Sequence, residues 1–309
     1  MTKLLNTRNI LLSIFIFINI TFCVRYAIRI SIEATIISTT IYLLLSVFTI
    51  KFCNKNTLSL KQIFLTCIIW VACCIVLLQF VPLETIRVDR IEMIELFWNA
   101  VNDGEYPYSP RGNFNGNHPG PMPIYFILCY PFYLIKTYAL IPILSYMAWI
   151  YYTYHTNRQS TTLLLLLIIF SPACYWEVLC RSTIIFNTII FLIWFVSLKS
   201  FDSFSSKKLI ISAIIGGLLL STRSILVVPI IAFGIYALHH KLQQRSKTII
   251  WGFVLLATFI ATHIPLLFYG IDKVIEINPI TIQTDFFIPS EYIILFIILL
   301  SIISYECTN

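Results

Sequence analysis

Apolar residues fall into long runs separated by short polar gaps. Runs at about 10–24, 34–50, 62–83, 137–154, 161–176, 183–199, 207–222, 224–240, 248–268 and 290–305 approach the roughly 20 residues that a helix needs to cross a hydrocarbon core. Their Ile, Leu and Phe content would suit strands in water. In a bilayer each backbone amide has to be paired within its own segment, so the runs predict helices. The run 121–135 opens with Pro121-Met122-Pro123 and is interrupted at Pro131. It predicts a re-entrant or interfacial segment instead of a crossing. The first run follows Lys3 and Arg8 without a small-x-small cleavage site, which predicts a retained helix. The expectation is one all-α transmembrane domain over 1–309, a helical bundle of about ten crossings.

The longest polar stretch, 84–120, predicts a large extracytoplasmic loop. Ile91, Ile94, Phe97, Trp98 and Val101 recur at three- and four-residue steps, with Glu92, Glu95, Asn99 and Asn102 opposite. That period is an amphipathic helix, expected to lie on the membrane surface with Phe97 and Trp98 down. Gly104 and Pro107 end it. The Gly/Asn-rich run from Arg111 to Gly120 then forms a loop, and long loops in compact membrane proteins are usually functional.

Composition agrees with the pattern: 59% of residues are hydrophobic and 11% charged, against roughly 25% charged in soluble domains. The net charge of +7 forms no basic face or tail, which argues against a nucleic-acid partner. Its distribution orients the chain instead. If 121–135 does not cross, the inner segments hold twelve of the 21 basic residues and, as acids, only Asp202 and Glu306. A full crossing at 121–135 would move Lys199, Lys207 and Lys208 outside. The charges therefore favour ten crossings, with 84–120 outside. The nine cysteines include no CxxC pair and sit mostly in apolar runs (Cys67, Cys73, Cys74, Cys129), where they read as buried, inert thiols.

Candidate chemistry lies at the outer helix ends. Common soluble-enzyme motifs are missing, the histidines have no ligand spacing, and no metal or cofactor is expected. Asp89 opens the amphipathic helix, where an acid reads either as a helix cap or as a functional carboxylate. The apolar stretch 209–240 is broken only at Ser221-Thr222-Arg223-Ser224. Each leg is then short for a crossing, so Arg223 is expected below the membrane surface. An arginine there needs a partner, either a carboxylate such as Glu177 or a lipid-linked phosphate, which the planar guanidinium binds through two oxygens. Residues 270–289 form a third outer segment, whose Gln283 is a candidate sugar contact.

Three stretches, taken in order, resemble the GT-C superfamily of multi-pass glycosyltransferases that use polyprenyl-phosphate sugars. They are Asp89 with its helix through Gly104-Glu105-Tyr106-Pro107-Tyr108 and His118-Pro119-Gly120-Pro121-Met122-Pro123; Ser171-Pro172 through Arg181 to Asn187; and Gly216-Gly217 with Ser221-Thr222-Arg223. The likeness spans about 85–230 and, more loosely, Asn278-Pro279-Ile280. It implies a GT-C-like bundle in the cell (inner) membrane with its active site on the extracytoplasmic side. There a sugar would pass with inversion from a polyprenyl-phosphate donor to a glycan or lipid acceptor hydroxyl. Asp89 matches the catalytic base. Arg223 and Arg181 would meet the donor phosphate, and Glu92, Tyr108, His118 and Gln283 would bind substrate. The sequence departs from relatives that pair two acids, because Arg90 follows Asp89 and Glu92 is the nearest second acid.

Two alternatives predict different patterns. An O-antigen polymerase or ligase would carry its large outer loop late in the chain with several arginines, whereas this loop is early and acidic. A lipid-linked-glycan transporter would carry charged or broken helices at mid-membrane in two related halves, and no such symmetry is visible.

Overall fold

The computed structural model describes residues 7–86, 88–113, 115–240 and 245–287. It is helical throughout, and no strand occurs among the described residues. Among the described residues, five helical segments are individually long and apolar enough to cross a membrane: Arg8–Ala27, Ile32–Lys55, Leu60–Phe80, Ile184–Ser203 and Arg245–Tyr269. Two further pairs, Pro123–Ile135 with Leu140–Thr156 and Arg158–Phe170 with Pro172–Leu179, qualify only when joined across a sharp bend. The apolar run at 290–305 lies outside the described residues. The chain is a helical membrane protein, and its Leu, Ile and Phe side chains remain exposed along the spans, as lipid-facing surfaces require.

The chain divides into two compact units, one of residues 1–87 and 142–182, the other of 88–141 and 183–309. The first contains α1 (Thr7–Ala27), α2 (Ile32–Lys55), α3 (Leu60–Phe80), the short α4 (Leu83–Ile86), α7 (Leu140–Thr156) from Pro142 onward, α8 (Arg158–Phe170) and α9 (Pro172–Leu179). Its helices begin where short polar side chains supply the acceptors that a first turn lacks. Ser31 Oγ accepts from Ala34 N, and Asn157 Oδ1 accepts from Ser160 N. Ser59 and Gln62 form a reciprocal capping box.

The apolar run expected to cross at 161–176 is bent where Ser171-Pro172 interrupts it. The helix stops at Phe170 and turns by 66° into α9. Pro172 cannot continue the ladder, and the free donors are taken up locally. Ser171 Oγ accepts from Cys174 N, and the buried Asn19 of α1 accepts from Ser171 Oγ at 2.6 Å and Ala173 N at 3.2 Å. The break is thus held by a polar side chain inside a span.

The second unit contains α5 (Arg90–Asn102), α6 (Pro123–Ile135), α10 (Ile184–Ser197), α11 (Ser206–Leu220), α12 (Val227–His240), α13 (Arg245–Ala261), α14 (Ile271–Glu276) and α15 (Pro279–Phe287), with 3-10 turns at Leu198–Ser203, Ser224–Leu226 and Ile264–Tyr269. Its core is built by α10, α11, α12 and α13 around Trp194, Phe201, Leu220, Ile230 and Trp251. The rings of Trp194 and Trp251 stack at 6.1 Å. Gly217 lets α11 approach the backbone of α13, and Gly216 makes room for Trp194 of α10 and Leu255 of α13. A Cβ on Gly217 would lie 2.5 Å from the Leu255 carbonyl oxygen, and one on Gly216 would lie 2.5 Å from Trp194 Cζ2. Small residues at such a contact let backbones pack in the absence of any solvent-driven force.

Two expectations for this unit are corrected. Pro131 does not break the run 121–135, because α6 continues through it to Ile135. Lys136, with left-handed φ of 53°, ends the helix. The amphipathic α5 forms over the expected residues, but its apolar face is covered by α6 instead of lipid. Phe97 stacks on Phe126 at a centroid distance of 3.8 Å, and Trp98 Nε1 donates to the Phe126 carbonyl. Ile91, Ile94, Phe97 and Ala100 are buried. The polar edge is tied to the same helix, since Tyr133 Oη donates to Asn99 and accepts from Asn102.

Candidate functional site

A cavity of about 600 Å³ opens in the second unit, and all its lining residues belong to that unit. Asp89, Arg90 and Met93 reach it from the start of α5. Arg111, Asn117, His118 and Gly120 come from the loop between α5 and α6, Tyr125 from α6, and Arg223 from the turn after α11. Ile184, Ile282 and Gln283 complete most of the wall. Asp89 and Arg223, 134 positions apart in sequence, therefore face one hollow.

Asp89 sits at the N-cap position of α5 but makes no side-chain cap bond. Its backbone carbonyl accepts from Met93 N, while its carboxylate Oδ2 accepts from Asn115 Nδ2 at 3.2 Å. An acid that leaves the helix N–H groups alone and turns to the loop is not serving as an ordinary cap. It is half-buried, with lone pairs left for a second donor.

Arg223 lies between two backbone anchors. Met122 N donates to Thr222 O on one side, and Gln283 Oε1 accepts from Ser224 N at 2.7 Å on the other. Its own backbone is extended. The guanidinium carbon stands 5.2 Å from the centroid of the Tyr125 ring, within cation–π range. Tyr125 Oη is in turn bonded to Thr183 Oγ1. Arg223 Nε is buried without a hydrogen-bond partner, and within this unit no described carboxylate pairs with the residue. The legs flanking it are short, 15 residues in α11 and 14 in α12, as the sequence pattern predicts.

The loop between them is folded on itself. Gly112 N donates to Asn117 O and Gly116 N to Gly112 O. His118 Nδ1 lies 3.2 Å from the Pro110 carbonyl, so that nitrogen carries a proton and Nε2 is left to act on another group.

Other expected site residues take different places. Glu92 does not line the cavity; its Oε1 accepts from Asn113 N at 2.6 Å, and it pins the loop to α5. One helix step separates it from Met93, which takes the cavity-facing direction. Tyr108 is fully buried, with its hydroxyl donating to Pro121 O and its ring against Phe97 and Phe126. It cannot stack on a sugar, and burial raises its phenol well above the ordinary range. Tyr106 is equally buried, donates to Ile277 O, and is pushed up to about 12 by the same desolvation. Both act as loop pillars.

Gln283 does line the cavity, but both ends of its amide are engaged on backbone, at Ser224 N and at Gly120 O. Arg181 belongs to the first unit, where it adopts a left-handed φ of 50° and Nη1 donates to Leu179 O. Glu177 belongs to that unit too. Asn187, one turn beyond Thr183 in α10, is buried with neither amide atom hydrogen-bonded.

Arg90 and Arg111 were not picked out from the sequence as ligands. The signal the sequence offers is that both arginines lie in the segment that the positive-inside pattern expects to be poor in basic residues. With Arg223 they set three guanidinium groups against the single carboxylate of Asp89 in the cavity wall. Among the described residues no group of three His, Cys, Asp or Glu side chains is arranged to hold a metal ion. Comparison with family models, with curated proteins and with solved structures finds no match.

Proposed function

We propose that the protein is a membrane glycosyltransferase that moves a sugar from a polyprenyl-phosphate donor to an acceptor hydroxyl on the extracytoplasmic face, with inversion. The observation that carries this reading is the shared cavity of Asp89 and Arg223. In it the chain crosses the cell membrane about ten times, with the outer loop and the Arg223 turn on the same side. The GT-C likeness of the motifs in 85–230 supplies the reaction class.

The chemistry follows from what each group can do. The acceptor oxygen attacks the anomeric carbon as the bond from that carbon to the phosphate oxygen breaks. Asp89 takes the hydroxyl proton. Proton transfer from an alcohol to a carboxylate becomes favourable only late in the attack, so its earlier contribution is to orient the hydroxyl. The polyprenyl phosphate leaves with one more negative charge than it had in the donor. Arg223 meets that charge, assisted by Arg90 and Arg111, where donors fixed in advance act with little reorganisation. A buried, unpartnered Nε on Arg223 suits a site completed by a bound anion.

Asp89→Asn keeps the shape and removes the base. Transfer in membranes carrying this variant should fall by 10²-fold or more, with abundance and insertion unchanged. Arg223→Ala should weaken donor use more than acceptor use. Full transfer by Asp89→Asn would remove Asp89 as the base, and equal loss on both substrates with misfolding of Arg223→Ala would make Arg223 a structural residue instead of a phosphate ligand.

A further inference from the structure

We infer that Gln283 is a positioning residue that acts through Arg223, an inference resting on the reading of the cavity as a lipid-phosphate site. Its side chain is 5% exposed and spans two separate loops. Oε1 accepts from Ser224 N at 2.7 Å, and Nε2 donates to Gly120 O at 2.8 Å. Ser224 is the residue after Arg223, and Gly120 is the second residue after His118. One amide thus sets the distance between the turn that bears the guanidinium and the end of the loop that bears the imidazole.

On the Ser224 side Gln283 supplies the link to another element, beside the local 3-10 bond from Leu226 N to Arg223 O at 3.2 Å. On the other side of Arg223, Met122 N reaches Thr222 O only at 3.4 Å, and Ile124 N reaches Ser221 O at 3.1 Å. Residues 221–222 are therefore tied to the start of α6, while 224 is tied to α15. Arg223 is held between two attachments. An extended residue between fixed neighbours has little freedom in φ and ψ, so its side chain leaves the backbone in one direction. Loss of the Gln283 bond leaves ψ at Arg223 held only by the local Leu226 N to Arg223 O bond, and lets the guanidinium sample positions away from the cavity. Only the population that still points inward binds anion, and the apparent affinity falls by that fraction. The geometry also explains why an amide is needed: Ser224 N requires an acceptor and Gly120 O a donor. A carboxylate supplies only the first, and an aliphatic side chain supplies neither.

The test uses the full-length protein in detergent with polyprenyl monophosphate as probe. Binding is measured for wild type, Gln283→Leu, Gln283→Glu, Arg223→Ala and the double variant Gln283→Leu/Arg223→Ala. Gln283→Leu should weaken binding roughly tenfold, the effect of about 1.4 kcal/mol. Gln283→Glu, which keeps the bond to Ser224 N, should recover part of it. In the Arg223→Ala background, Gln283→Leu should cost nothing further, because the group it positions has gone. Additive loss in the double variant would make Gln283 a direct ligand and overturn the inference. Amide hydrogen exchange over 221–226 gives a readout that needs no ligand. Gln283→Leu should speed it by tenfold or more, and unchanged exchange would likewise overturn the inference. Should wild type fail to bind the lipid phosphate, the proposed function falls, and the exchange result alone decides whether Gln283 restrains the turn.

Discussion

At the scale of single residues, the polar groups of the second unit divide into those that hold the loop and those left facing the cavity. Glu92, Tyr106, Tyr108 and Gln283 have their polar atoms on backbone partners. Asp89 and Arg223 retain capacity. The sequence singles out Arg223 because an arginine between two short apolar legs is costly without a partner, and Asp89 because the motif likeness matches it to a base; its place at a helix start is by itself favourable for an acid. It cannot separate Tyr108 from a surface aromatic, because a tyrosine between prolines looks the same whether it packs inward or outward. Asn187 gives the clearest residue-level test. A buried amide without partners costs about 1–3 kcal/mol, so Asn187→Leu should raise thermal stability in detergent by about that amount. A lower melting temperature would mean that the amide is satisfied by something the leucine displaces.

At the scale of elements, caps and breaks are well encoded. Ser31, Ser59, Asn157 and Ser205 each precede a helix and each accepts a first-turn N–H. The bend at Ser171-Pro172 is visible in the sequence as well. What the periodicity of α5 does not say is which surface covers its apolar stripe. A hydrophobic face reports burial alone, and here Phe126 of α6 does the covering. Likewise the pair Gly216-Gly217 reads as part of a motif, while the structure explains it as the contact of α11 with Trp194 of α10 and with α13. Gly217→Val should sharply reduce the amount of folded protein, because the added carbon would meet the backbone at Leu255; overpacking of this kind costs about 1–3 kcal/mol and occasionally more. Gly252→Val is the control, since nothing lies within 4 Å of a Cβ there. Equal loss in both variants, measured as monodisperse protein after extraction, would remove the packing account.

At the scale of the whole molecule, the alternation of charge across the apolar runs makes a topological claim that helix lengths alone do not. Five segments qualify as spans by themselves, and the shorter legs around Arg223 do not. A cysteine at 112 would press on Met93, since the added carbon would lie 2.5 Å from Met93 Cε. Asn113→Cys and Ser206→Cys are better reporters, because both side chains are exposed. A membrane-impermeant thiol reagent should reach position 113 from outside the cell and position 206 only after permeabilisation. Labelling of both from the same side would overturn the charge-based orientation.

The second unit is assembled from two stretches of chain, and this sets an order on its biogenesis. The loop that carries Arg111 and His118 leaves the ribosome early, but Tyr106 waits 171 residues for Ile277, and Gly120 waits 163 for Gln283. At 5–20 residues per second that is a delay of roughly 8–35 s. During it the nascent segment relies on bonds within 89–126, among them Glu92 to Asn113, Gly112 to Asn117 and Tyr108 to Pro121. These local ties fold the loop onto α5 before its permanent anchors have been synthesised.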